Sequence, residues 1–133
     1  MDPAAVNDMW KSLLVGHLGM RFVETGPDRV VAELEIRDHL RNVNGVLHGG
    51  ALMALADSSG GACAFLNLPA GAAGTTTIES KTNFLRAVRE GYVESRSRPL
   101  HTGRTVVVVE TDLRDDRDRL VARVTQSQLV LAG

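Results

Sequence analysis

The sequence is short of several features that mark particular classes of protein. Its one cysteine, Cys63, has no partner for an intrachain disulfide or a cysteine-based metal site. His17, His39 and His101 do not cluster with carboxylates at the spacing of metal ligands. The net charge of -1 lacks the excess of Lys and Arg that marks a nucleic-acid-binding surface. We therefore expect no metal and no nucleic-acid partner and, since the N-terminus shows no signal peptide, a cytoplasmic location.

The longest uncharged stretch does not have the composition of a membrane span. Residues 43–78 carry one formal charge, at Asp57, but they also contain seven glycines and Pro69. A transmembrane helix needs about 20 mostly apolar residues with few interruptions. We therefore interpret residues 50–66 as a helix buried on all sides by protein, and we expect no membrane partner.

The chain has 133 residues, of which 44% are hydrophobic and 23% charged, and this composition predicts one domain over residues 1–133. Hydrophobic periodicity predicts the order helix, two strands, one buried helix and four strands. The predicted helices span residues 7–15 and 50–66, and the predicted strands span residues 21–24, 30–36, 75–84, 91–98, 105–114 and 120–131. One helix cannot cover both faces of such a sheet. The sheet is therefore expected to wrap around it, in the α+β class, with open edges that favour a dimer.

Asp57 is the only charged residue of the predicted central helix. Burying an ionised carboxylate costs several kcal/mol unless it is paired or hydrogen-bonded, and no basic side chain lies within a helical turn. Such an acid is either solvated at a rim or kept for a function, and perturbed carboxylates are frequent at functional sites. Asp57 is therefore the first candidate for a catalytic residue.

The start of the same helix offers hydrogen-bond donors. The N–H groups of Gly49 and Gly50 have no intrahelical partner, the helix dipole favours negative charge there, and glycine lets a ligand approach closely. Such donors form an oxyanion hole in some enzymes, and in others merely a helix cap; the Asn42 amide can add a donor. His48 suits a general base or a structural role in the loop, since no Ser or Cys is placed as its nucleophile.

The pattern Asn42-x5-His48-Gly49-Gly50-x6-Asp57, followed by an apolar helix and four strands, resembles the hotdog-fold acyl-CoA thioesterases. It is most similar to their phenylacetate-degradation and 4-hydroxybenzoyl-CoA branches, over roughly residues 18–131. The resemblance implies a long helix wrapped in an antiparallel sheet, and a homodimer or a dimer of dimers with active sites at the subunit interface. It also implies hydrolysis of an acyl-CoA to a free acid and CoA, a reaction that requires no redox or metal cofactor.

The resemblance implies roles for individual residues as well. The Gly49 N–H, helped by Asn42, would polarise the thioester carbonyl from one subunit. Asp57 of the other subunit would act as nucleophile or as general base toward water. The family places a hydroxyl near the acid on the strand after the helix, and Thr77 is the nearest match among several hydroxyl residues. One branch has Glu as the acid and Thr one turn later; Asp57 and Gly61 in those positions favour the phenylacetate branch.

Coenzyme A carries phosphates, so its site needs Lys, Arg or free backbone N–H groups near the surface. Arg86, Arg89 and Arg104 are candidates from loops that match those of the family, with simple surface charge as the alternative for each. The apolar helix residues fit aryl and medium-chain acyl groups equally well. Two other functions stay open: a non-catalytic acyl-CoA-binding hotdog protein, and a hydratase, for which no paired Asp and His pattern is found.

Overall fold

A computed structural model describes residues 1–133 of the protein. Its elements, in chain order, are α1 Pro3–Trp10, α2 Leu14–Leu18, β1 Met20–Thr25, β2 Val30–Glu35, a 3-10 helix Asp38–Leu40, α3 Gly49–Phe65, β3 Ala72–Phe84, β4 Tyr92–Thr102, β5 Val106–Asp115 and β6 Leu120–Ala132. The six strands form one antiparallel sheet in the order β1-β2-β4-β5-β6-β3. None of the helices is both long and apolar enough to cross a membrane.

The sheet wraps around α3, which contacts all six strands. Strand β5 shows why: its buried and half-buried residues alternate strictly, so that Val107, Val109 and Leu113 face the helix. Leu52 and Leu55 of α3 are almost fully buried against this face. Each such leucine contributes about 1.5–3 kcal/mol through the hydrophobic effect, so the contact between helix and sheet is the main part of the core. The α+β architecture expected from the sequence is confirmed.

The N-terminal helix expected over residues 7–15 is wrong in its bounds, since two short helices stand there. Helix α1 begins earlier because the side chain of Asp2 caps it, accepting a hydrogen bond from Ala4 N–H at 3.1 Å, and Pro3 fits the first helical position. Helix α2 ends at Gly19, whose φ of 89° is a left-handed conformation suited to glycine. The prediction was based on the periodicity of apolar residues and did not use Asp2-Pro3, the sequence signal for the start of the helix.

The expectation that α3 is buried on all sides is also wrong for the single chain. One face packs on the sheet, but Met53, Asp57 and Phe65 on the other face are exposed. The acid is therefore not an ion inside a closed core, and the desolvation argument made for it does not hold for one copy of the chain. An apolar helix face left open in one chain calls for another covering surface.

Strand β3 is the edge of the sheet that lies beside this open face. It is 13 residues long and paired only with β6, so its other edge carries unpaired backbone N–H and C=O groups. Ile78 and Phe84 on it are 57% and 53% exposed. Long, apolar edge strands are normally covered, because they otherwise pair with other chains.

Candidate functional site

Asp57 lies near the middle of α3, where its side chain meets strand β3. The hydroxyl of Thr77 donates to Asp57 Oδ1 at 2.7 Å. The register of β3 shifts between Thr77 and Glu79, a bulge of the kind that often re-aims side chains next to active sites. Among the hydroxyl residues of β3, it is Thr77 that the structure brings to the acid, and the catalytic role of the pair stays a prediction.

Two buried glutamines of β6 complete the surroundings of the acid. Gln128 donates through Nε2 to Thr77 Oγ1 at 2.6 Å, and its Oε1 accepts from the Thr75 hydroxyl at 3.2 Å. Gln126 Nε2 lies 3.4 Å from Asp57 Oδ1, while Gln126 Oε1 is buried with no hydrogen-bond partner. The two contacts with the carboxylate itself, from Thr77 and Gln126, both reach Oδ1. The second oxygen, Oδ2, makes no hydrogen bond within the chain and is free to face a substrate.

The glycine pair that follows Asp57 serves two different purposes. A Cβ added at Gly60 would lie 2.1 Å from Gln126 Oε1, so Gly60 makes room for that side chain beside the helix. A Cβ added at Gly61 would have no neighbour within 4 Å. Gly61 instead lines a cavity, and the space left by its missing side chain belongs to that cavity.

The cavity of about 790 Å³ opens beside Asp57, a size within the usual range for small-molecule sites. The N-terminal segment and the C-terminal end of α3 supply an apolar wall, and strand β3 with Gln128 supplies a polar one. The apolar wall comprises Met1, Val6, Met9, Trp10, Phe65 and Leu66. Asp57 is the only ionisable side chain among the lining residues. The arrangement can hold a mostly apolar group with its reacting end at the carboxylate.

At the start of α3, His48 has a structural role in the chain. Its Nδ1 accepts a hydrogen bond from Gly50 N–H at 2.7 Å, so the imidazole caps the helix and occupies the donor of Gly50. The N–H of Gly49 makes no hydrogen bond within the chain. An added Cβ at Gly49 would lie 3.3 Å from the ring of Phe84, so the glycine also allows close packing with β3. Of the two glycines, Gly49 is the one that offers a free donor.

Asn42 shapes the loop that precedes the helix. Its Oδ1 accepts hydrogen bonds from Asn44 N–H at 2.9 Å and Val46 N–H at 3.3 Å. The oxygen is thus engaged, whereas the NH2 of the same amide has no partner within the chain. The geometry leaves a side-chain donor available at the helix start.

The free donor and the acid of one chain lie apart. Gly49 and Asp57 are separated by eight residues of helix, which is about 12 Å at 1.5 Å per residue. A carbonyl that is attacked at carbon while its oxygen accepts a hydrogen bond allows roughly 6–7 Å between the attacking oxygen and the donor. The two groups of a single chain therefore cannot act on the same carbonyl.

The three candidate arginines also divide into two places. Arg86 and Arg89 lie in the loop after β3, which packs on the loop before α3 through the hydrogen bond from Leu47 N–H to Val88 O at 2.7 Å. Arg104 lies in the β4–β5 turn, near the opposite end of β3, and a 13-residue strand is roughly 40 Å long. All three side chains are exposed, but within one chain they form no common site.

Gln126 and Gln128 were missed by the analysis of the sequence. Strand β6 carries buried residues at every second position, and the glutamines occupy two of these positions in succession, between Val124 and Val130. Glutamine is seldom fully buried without partners. The available signal was therefore the presence of two polar side chains on the inward face of a predicted strand. Extending the alternation of inward and outward residues to the end of the strand would have shown both glutamines pointing inward.

Comparisons with known proteins show the family to which the chain is similar. Residues 44–122 match the family model of the thioesterase superfamily. A putative esterase of Mycobacterium tuberculosis is 37% identical over 108 residues, which cover 80% of this chain and 77% of the relative. A 1,4-dihydroxy-2-naphthoyl-CoA hydrolase of Escherichia coli is 33% identical over 116 residues, covering 87% of this chain and 85% of that protein.

Among solved structures, a thioesterase from Haemophilus influenzae superposes with a TM-score of 0.93 at 28% sequence identity. The superposition covers 99% of this chain and 92% of the other. The segment matched by the family model contains Gly49, Asp57 and Thr77, so the similarity includes the helix and the strand that carry the candidate site.

Proposed function

The chain belongs to the thioesterase superfamily and is a thioester hydrolase with the hotdog fold, and from this we propose that it hydrolyses an aryl- or medium-chain acyl-CoA at a site shared by two subunits. The separation of about 12 Å between Gly49 and Asp57 carries the second half of the proposal. Two copies are needed to bring a free donor and a free carboxylate oxygen to one carbonyl.

The proposed chemistry divides the work between the subunits. The N–H of Gly49, with the amide of Asn42, donates to the thioester oxygen and stabilises the negative charge that develops there. Oδ2 of Asp57 from the other subunit either attacks the carbonyl carbon or removes a proton from a water that attacks it. In the first case the C–S bond breaks as the bond to Asp57 Oδ2 forms, so that CoA leaves as thiolate and an acyl–Asp57 anhydride remains, which water then hydrolyses. In both cases the C–S bond breaks and the products are a free acid and CoA.

The proposed dimer forms along the free edge of β3. This edge, together with Ile78, Phe84 and the open face of α3 at Met53, provides unpaired backbone groups and apolar side chains on one continuous side of the molecule. Antiparallel pairing of two β3 strands around a two-fold axis would set the Gly49 end of one subunit toward the Asp57 cavity of the other. A dimer of dimers is compatible with the same pairing.

The proposed dimer also accounts for the two groups of arginines. Antiparallel pairing of β3 would move the Arg104 turn of one subunit toward the end of the other that carries Arg86 and Arg89. These guanidinium groups are then candidates for the phosphates of CoA, where planar cations with several N–H donors bind well. The acyl group would occupy the cavity of about 790 Å³ between α1 and β3. Within this proposal residues 1–133 act as one cytoplasmic domain.

The direct test is to measure thiol release from a panel of acyl-CoA esters with variants of both groups. Asp57→Asn should lower turnover by at least about 10²-fold, the usual size for a positioned acid or base. Gly49→Pro should lower it by about 10²–10³-fold, because it removes one oxyanion donor. Proline is suited to this first helical position, and the extended conformation of His48 (φ -62°, ψ 134°) is the one favoured before proline.

Gly49→Ala is the matched control for the proline variant. It adds a similar contact with the ring of Phe84 but keeps the N–H, so most of the activity should remain. Unchanged turnover in Asp57→Asn would contradict the role of the acid. Equal losses in Gly49→Ala and Gly49→Pro would contradict the role of the N–H and point to packing instead. Binding of acyl-CoA without any turnover in the natural protein would favour a non-catalytic binder.

A further inference from the structure

The two buried glutamines of β6 belong to no role discussed so far. We propose that Gln128 is a positioning residue: it fixes the hydroxyl of Thr77 toward Asp57 Oδ1 and thereby leaves Oδ2 as the reacting oxygen. The inference rests on the proposed catalytic function of Asp57. It goes further by assigning the two carboxylate oxygens different roles and by placing the determinant of that difference on another strand.

The charge of the carboxylate determines the direction of each hydrogen bond in the series that runs from Asp57 through Thr77 and Gln128 to Thr75. An ionised carboxylate only accepts, so Thr77 must donate its single hydroxyl hydrogen to Asp57 Oδ1 at 2.7 Å. The Thr77 oxygen then has only acceptor capacity left, and it receives Nε2 of Gln128 at 2.6 Å. The amide oxygen of Gln128 consequently faces Thr75, whose hydroxyl lies 3.2 Å from that oxygen and 3.1 Å from Leu129 O and is shared between these two acceptors.

The opposite orientation of the Gln128 amide would break this order. Its oxygen would then face the Thr77 oxygen, and one hydroxyl hydrogen would have to serve two acceptors. Without the amide at position 128, the hydroxyl of Thr77 is free to rotate away from Asp57. Gln128 is 1% exposed and hydrogen-bonded at both ends of its amide, so it has little freedom to do anything else.

Gln126 supports the same oxygen from the second side. Its Nε2 lies 3.4 Å from Asp57 Oδ1, and the space that its amide occupies exists because residue 60 is glycine. Gln126 Oε1 has no partner although the residue is fully buried, an arrangement that costs stability. Stability alone therefore does not explain why an amide is placed here. Gln126 therefore contacts Oδ1 directly and Gln128 acts on it through Thr77, and neither glutamine reaches Oδ2.

The experiment is a double-mutant cycle on turnover between positions 128 and 77. Gln128→Met keeps the size and removes both polar atoms; it should lower kcat by about 10-fold or more with little change in KM, the rate equivalent of losing one hydrogen bond to a charged group. In a Thr77→Val background the same substitution should have almost no further effect, because Gln128 acts through the hydroxyl. In a Thr77→Ser background, which restores the hydroxyl, the full effect should return.

A structural role alone would give a different pattern. It would lower thermal stability to the same extent in all three backgrounds, and the losses in kcat would not depend on residue 77. Thr111→Val is the control: Thr111 is a fully buried hydroxyl of β5, paired with Ser97 at 2.7 Å, and its loss should lower stability without lowering kcat. Equal kcat losses from Gln128→Met in the Val and Ser backgrounds would overturn the inference.

Further variants distinguish failure of the proposed function from failure of the inference, and they cover the case in which Gln128→Met does not fold. If Gln128→Met does not fold, Gln128→Leu likewise lacks the amide donor and acceptor and must show the same dependence on Thr77; independence would again overturn the inference. If Asp57→Asn retains turnover, the proposed function fails and the inference falls with it. If Asp57→Asn is inactive while Gln128→Met keeps its kcat, only the inference is wrong.

Discussion

Gly60 and Gly61 are neighbours on α3, yet alanine at the two positions should have opposite effects on stability. Alanine in place of glycine inside a helix contributes about 1 kcal/mol to the free energy of unfolding at either position. At Gly61 nothing opposes this gain, because no atom lies within 4 Å of the added Cβ. Gly61→Ala should therefore be more stable than the natural protein by about 1 kcal/mol, which is a rise in Tm of about 4 °C for a chain of this size.

At Gly60 the added methyl group would overlap the amide of Gln126. The Cβ would lie 2.1 Å from Oε1 and 2.6 Å from Cδ, and since Gln126 is fully buried the amide has no solvent-filled space into which it can turn. Such overpacking costs typically about 1–3 kcal/mol. The helix-propensity gain is the same in both variants, so the difference between them isolates the clash. Gly60→Ala should be less stable than Gly61→Ala by about 1–3 kcal/mol.

Urea denaturation of the two variants and the natural protein, at one protein concentration because a dimer is expected, measures this difference directly. Turnover provides a second reading: Gly60→Ala displaces the amide beside Asp57 and should lower kcat, whereas Gly61→Ala narrows the cavity and should affect KM for the bulkier acyl groups. Equal stability of the two variants, or a more stable Gly60→Ala, would show that the amide of Gln126 does not fill the space beside Gly60.

Two other predictions concern the cavity wall and the free thiol. Met9 lines the cavity but is 68% exposed, so Met9→Ala should leave stability unchanged and raise KM for large acyl groups by about fivefold, as expected from partial loss of one buried methionine contact. The control is Leu14→Ala, which is equally exposed but outside the cavity and should leave KM unchanged. If Met9→Ala has the KM of the natural protein, the acyl group lies elsewhere. Burial raises the pKa of the Cys63 thiol to about 11. A thiol reagent at pH 8 should therefore label no cysteine in the folded chain and one cysteine per chain after unfolding. Rapid labelling of the folded protein would contradict the burial of Cys63 on α3.

Much of the fold could be predicted from the sequence, because most of its elements are amphipathic in the simple way. Strand β5 alternates so regularly that its inward face is evident from the sequence. The wrapping of the sheet around α3 was expected because one helix cannot cover both faces of the sheet, and the resemblance implied the same arrangement. The N-terminal helix was placed wrongly because apolar periodicity says little about where a helix begins. That information was in the cap at Asp2 and in Pro3.

The candidate site was predictable in its types of residue and only partly in its geometry. Asp57 stood out as the single charge in an apolar stretch, but its environment was predicted wrongly. An apolar helix face indicates that another surface covers the helix, and it does not show that this surface belongs to the same chain. Thr77 could not be distinguished from neighbouring hydroxyls without the bulge in β3. Gln126 and Gln128 were visible only as polar residues at inward positions, and the contact of Gln126 with Asp57 joins parts of the chain that are 69 residues apart.

The central claim is that one active site takes Gly49 from one subunit and Asp57 from the other, and a dimer of two inactive chains tests it most directly. Gly49→Pro and Asp57→Asn chains carrying different affinity tags are produced together, and the doubly tagged heterodimer is isolated. One of its two sites then carries both defects and the other carries none. With a shared site, the heterodimer should have about half of the natural turnover per dimer, although each variant alone is nearly inactive. A heterodimer as inactive as its parents would contradict the shared site.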